Sequence, residues 1–184
     1  MQSLELTPDL NYGSDHVEGT IRVANRSPVD VNITLQVKTT DADGITLWSD
    51  SFTFEDIAAG ETLRQDLYLG AIEGGSRIDK VQTTIVWAEQ TTIPPVSSRT
   101  DIQLLTQMPI LVDDYSSIVV RLRNTTDEYK FAPIMIKYYW SDGSLRLRSY
   151  GELGPLRPGE TREFRISPTV LSGGLIYAHI YLLD

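Results

Sequence analysis

Four arginines and two tyrosines in the C-terminal half are the side chains best suited to hold a ligand. Arg121 and Arg123 alternate along one run, and Arg146 and Arg148 along another. Successive side chains of an extended strand point to opposite faces, so each pair projects from one face, opposite Val120 and Leu122 or Leu145 and Leu147. If the two strands share a sheet, four guanidinium groups gather on its outer surface, bordered by Tyr139 and Tyr150. Guanidinium forks suit carboxylates and sulfates, so the expected partner is a protein, an anionic polysaccharide or the acidic half of a second copy. The corresponding N-terminal stretch has Leu47 and Asp50 instead.

The inventory for catalysis is thin, and the expectation is a non-enzymatic protein that uses no cofactor. The two histidines, His16 and His179, lie in unrelated surroundings, and His179 falls within the alternating run Tyr177-Ala-His-Ile-Tyr. There is no cysteine and no Gly-x-Ser-x-Gly elbow, so nucleophilic catalysis has no starting point. Asp41-Ala-Asp43-Gly44 opens like a calcium loop, but Ile45 and Phe52 stand where further ligands are needed. Asp15, Asp113 and Asp114 are the weaker metal candidates, and their simpler role is loop solvation. Asn32-Ile-Thr and Asn124-Thr-Thr meet the glycosylation pattern, which matters only for a secreted chain.

Charge and composition narrow the partners. The net charge is -9 over 184 residues. Residues 1–99 hold 7 basic and 15 acidic side chains, and residues 100–184 hold 9 and 10. An acidic first half repels phosphate backbones, which argues against nucleic acid. No apolar run approaches the roughly 20 residues that cross a bilayer. No signal segment is visible at Met1–Glu5; an extracytoplasmic or surface location is favoured on the assumption that one was removed upstream.

The elements that position these residues follow a pattern that returns 99 residues later. Asn25, Asp43-Gly44 and Gly60-Glu61-Thr62 correspond to Asn124, Asp142-Gly143 and Gly159-Glu160-Thr161. Leu6-Thr7 likewise faces Leu105-Thr106, and Gly74-Gly75 faces Gly173-Gly174. Between these marks run period-two stretches: Ile21 and Val23; Val31, Ile33, Leu35 and Val37; and their counterparts Ile134, Ile136, Tyr138 and Trp140. Asp-Gly closes a hairpin, glycine supplies the left-handed turn position, and each asparagine suits a turn at a strand end. Residues 3–7 suit a first strand and Pro8–Ser14 a loop. The expected fold is all-β: two tandem immunoglobulin-like sandwiches, residues 1–89 and 101–184, joined by a Pro94-Pro95 spacer over 90–100.

The string of a strand ending in Val-Ala-Asn25, an alternating strand, Asp43-Gly44 and Ala-Gly60-Glu61-Thr62 resembles the small bacterial and archaeal sandwich domains called FxLYD and CARDB (cell adhesion related domain in bacteria). The second copy matches at Asn124, Asp142-Gly143 and Pro158-Gly159-Glu160-Thr161 and departs at Tyr138-Tyr139-Trp140. The resemblance implies a structural or adhesive module of the envelope or surface, with no functional residues carried over. A second resemblance, through Gly44-Ile-Thr-Leu-Trp48-Ser-Asp-Ser-Phe52, is to the bacterial intracellular proteinase inhibitors. It implies the alternative of a soluble inhibitor or accessory subunit acting through its loops.

Overall fold

A computed structural model describes residues 3–13, 15–69, 77–93, 96, 99–112, 117–167 and 176–184. Among them it contains thirteen strands and no helix. The chain divides into two compact units, Met1–Ile93 and Pro94–Asp184.

The first unit holds β1 (Leu4–Tyr12), β2 (Val17–Asn25), β3 (Val31–Thr40), β4 (Thr46–Ile57), β5 (Thr62–Leu69) and β6 (Lys80–Gln90). They form two layers, β1-β2-β5 and β4-β3-β6. The apolar alternation read from the sequence faces inward: Val17, Ile21, Leu35, Val37, Leu67 and Ile78 are buried together, with Trp48 and Phe52 of β4 packed against them. Burying such side chains stabilises by about 1.5–3 kcal/mol each, which is why a strict period-two pattern selects one register.

The second unit holds β7 (Ile102–Leu104), β8 (Ile110–Val112), β9 (Ile118–Asn124), β10 (Lys130–Tyr139), β11 (Leu145–Leu156), β12 (Thr161–Ile166) and β13 (Ile176–Leu182). Its layers are β12-β9-β7 and β11-β10-β13-β8. Val120 and Leu122 point into the core with Ile134, Ile136 and Tyr138, while Arg121 and Arg123 stay exposed, as the alternation requires. Burial raises the Tyr138 hydroxyl pKa above its ordinary value.

Two expectations change. Pro8–Ser14 is a strand, not a loop, as far as Tyr12: β1 pairs with β2 throughout, from Leu4 opposite Asn25 to Tyr12 opposite Val17. Pro8 is tolerated because β1 lies at a sheet edge, where a missing N–H leaves no ladder bond unmade. The equivalent stretch of the second unit does not stay in one layer. β7 pairs with β9, and after Pro109 the chain joins the other layer, where β8 pairs with β13.

The expected spacer is also partly spoken for. Thr91 N–H donates to Asp30 O and Ile93 N–H to Asp30 Oδ2, tying the end of β6 into the first unit. Val96 bridges Leu183, and Arg99 makes a two-pronged ion pair with Asp101 at 2.6 and 2.7 Å. Pro94-Pro95 and both Gly-Gly turns lie outside the described residues.

Candidate functional site

The four arginines do not form one face. Arg121 and Arg123 stand on β9 in the β12-β9-β7 layer, whereas Arg146 and Arg148 stand on β11 in the other layer. The core lies between those layers, so the pairs look out from opposite sides. Arg146 also falls at a bulge, between Leu147 opposite Tyr138 and Leu145 opposite Tyr139. Its guanidinium carbon sits 4.2 Å from the Trp140 ring centroid, a cation–π geometry that strengthens when water is excluded. Arg146 Nη1 and Arg148 Nε and Nη1 are shielded from solvent.

What the β11-β10-β13-β8 layer presents outward is an aromatic and cationic ladder. Directly opposed residues share a sheet face, so the strand register defines its rows. Tyr150 and Tyr181 flank the buried Met135 in one row, and Arg148, Lys137 and His179 make the next. Tyr139, Tyr177 and Leu111 make a third. The rings contact one another: Tyr139 meets His179 edge-on at 5.6 Å, and His179 stacks on Tyr181 at 6.3 Å. Lys137 Nζ lies 5.8 Å from the Tyr181 ring centroid. Pro109, Tyr139, Trp140, Tyr177, His179 and Tyr181 line a shallow hollow of about 380 Å³.

The first unit shows that the sandwich does not require this surface. The matching rows on β4-β3-β6 are Ser51, Gln36 and Thr84, then Ser49, Lys38 and Gln82. The third row is Thr40 and Lys80, so where the second unit carries rings the first carries amides, hydroxyls and a lysine. Of the residues singled out from sequence, Tyr139, Tyr150 and Arg148 belong to this ladder, and Arg146 flanks it. Tyr177, His179 and Tyr181 were legible only as a strand, although three ring-bearing residues at period two were the signal for a ring-lined face.

The turn residues have a structural role. Asn25 and Asn124 are fully buried. Asn25 Nδ2 donates to Val29, Ile57 and Ala58 carbonyls, and Asn124 Nδ2 to Glu128, Leu156 and Arg157 carbonyls, all at 2.7–3.2 Å. Each asparagine therefore ties the end of one strand to a turn about 32 residues on, beyond the local turn its type suggests. That turn is the Gly-Glu-Thr stretch: Gly60 N–H donates to Asn25 O and Asn124 N–H to Glu160 O, with Gly60 and Gly159 at φ 77° and 68°. A buried Nδ2 with all its acceptors on the backbone is not a glycan acceptor, which removes the Asn124 glycosylation reading.

Asp43-Gly44 and Asp142-Gly143 are hairpin turns, with both glycines at positive φ. Asp41 Oδ1 accepts the N–H groups of Asp43 and Ile45, which explains the aspartates that mimic a calcium loop. Asp15 faces His16 at 3.1 Å; Asp113 and Asp114 lie outside the described residues. Among the described residues no three His, Cys, Asp or Glu side chains converge as metal ligands, and no helix is long and apolar enough to cross a membrane.

No family model and no curated protein matches the chain. Among solved structures it is similar to that of red sea bream transglutaminase, at 9% identity and a TM-score of 0.34. The match covers 99% of this chain and 29% of that one.

Proposed function

We propose that the chain is a non-enzymatic binding module of the cell surface or envelope, whose second unit holds an acidic polysaccharide along the β10–β13 face. The observation that carries this reading is the appearance of rings in the second unit at register positions where the first unit has amides, hydroxyls and a lysine. Pyranose rings lay their apolar C–H faces on aromatic side chains, and Tyr hydroxyls reach sugar hydroxyls at the rim. Rings at alternate positions of β13 repeat about every 6.6 Å along the strand, so they support an extended polymer better than a single compact ligand. Lys137, in the row between the tyrosines, adds attraction for carboxylates. The resemblance to surface-adhesion domains points the same way.

Electrophoresis in gels cast with a polyuronate or with a neutral glucan tests this reading. The polyuronate should retard the chain, and Tyr177→Ala and Tyr181→Ala should each weaken retention roughly ten-fold, about 1.4 kcal/mol. Retardation that survives the double substitution, or none at all, removes the face from consideration.

A further inference from the structure

We infer that the chain assembles with copies of itself head to tail, the outer edge of β6 in one molecule pairing with the outer edge of β12 in the next. Both strands end a three-stranded layer, and among the described residues each is paired on one side only, β6 with β3 and β12 with β9. An uncovered edge is a row of unsatisfied N–H and C=O groups that templates another strand. The chain itself shows how such an edge is closed: β13, beside β10 as β6 is beside β3, carries β8 on its far side. In the first unit β1 stays paired with β2 along its whole length and comes near β6 without pairing with it.

Of the usual protections of an exposed edge, β6 carries only a bulge. It is 11 residues long, and its middle, Gln82–Ala88, holds no charge, proline or glycine. Val86 and Trp87 are 51% and 43% exposed there. Such a segment, uncharged and without proline, can pair along the stretches on either side of a single bulge. β6 has one irregularity, at Val86, where the register with β3 shifts.

Charge selects the occupant. Residues 1–93 carry fifteen acidic and six basic side chains, so β6 joined to β6 brings two strongly acidic units together. Residues 94–184 carry ten of each, but the outward face of β12 and β9 displays Arg121, Arg123 and Arg165 against Glu163. Two β12 edges would oppose arginine to arginine. Joining β6 to β12 places the acidic unit of one copy against the arginine face of the next, and the contact gives the Arg121–Arg123 pair a partner. Because the two surfaces differ, the contact is heterologous and leaves a free edge at each end of every assembly that does not close.

Light scattering on the full chain and two exposed-edge variants tests the inference, with circular dichroism confirming that each variant keeps its strand signal. At low salt the wild type should rise with concentration past twice its 20.6 kDa, and return to single chains as salt screens the attraction. Val86→Lys on β6 and Arg165→Glu on β12 should each stay single. An equimolar mixture of the two variants retains one good edge of each kind and should stop at two chains. A wild type that stays single at all concentrations overturns the inference. So does an Arg165→Glu chain that still associates, which would mean β6 pairs with itself, or a mixture that stays single.

Discussion

Two kinds of buried or half-buried polar side chain set the residue-scale behaviour. The amide of Asn124 satisfies three backbone carbonyls through Nδ2, while its Oδ1 accepts the Thr126 N–H and hydroxyl. Removing it leaves buried acceptors without donors, the costly half of a hydrogen-bond loss. Asn124→Ala should therefore lower stability by about 2–4 kcal/mol, measured as a shift in the urea midpoint. Asn124→Asp, which keeps the shape but exchanges the donor for an acceptor, should do no better. The Arg99–Asp101 pair behaves differently because it titrates. The hydrogen bond from Arg99 holds the Asp101 carboxyl below its ordinary range against the opposing effect of burial. A carboxyl with a lowered folded pKa adds stability above its unfolded value near ~4 and loses it as pH falls through the folded one. Asp101→Asn should cost about 1–2 kcal/mol at pH 7. The difference between wild type and variant should hold steady above about pH 5 and shrink below pH 4.

At the scale of elements, the two units use their first strand differently. In the first unit the whole of β1 lies along β2, and the close approach is made possible at Gly19, whose φ is +142° and where a Cβ would run into the Asp9 carbonyl. Gly19→Ala should push β1 off β2, with a loss of more than about 1 kcal/mol. Hydrogen exchange would show the amides of residues 9–12 and 17–21 losing protection first, while β3 and β4 keep theirs. Equal loss across both layers would mean that β1 is not held by that contact. In the second unit the switch into β8 closes the edge of β13, and it also carries Leu111 to the end of the Tyr139–Tyr177 row. One rerouted strand thus removes an edge and extends the ring-bearing face.

For the whole molecule, acidity and binding chemistry are divided between the units, and the two proposed activities use different surfaces of the second one. The ring ladder lies on β10, β11 and β13, while the assembly edge lies on β12. Tyr177→Ala and Tyr181→Ala should leave concentration-dependent growth unchanged, and Arg165→Glu should leave polyuronate retention unchanged. If one substitution abolishes both, polymer capture and assembly share a surface and one of the two assignments is wrong.

Features that depend on near neighbours could be read from the chain alone. The inward phase of Val120 and Leu122, the Asp-Gly hairpins and the glycine turns follow from period-two alternation and local backbone preference, and the two-unit division follows from a pattern that returns after 99 residues. Which strands lie side by side is set by long-range packing. Alternation states which way Arg121 and Arg146 point within their own strands but not that β9 and β11 belong to opposite layers. Nor could it show that Pro8 sits at a tolerant edge, that Asn124 reaches a turn 32 residues away, or that Tyr139 meets His179. Those relations arise when cores close and backbone donors find distant acceptors, a pairing set by the whole chain rather than by any stretch of it.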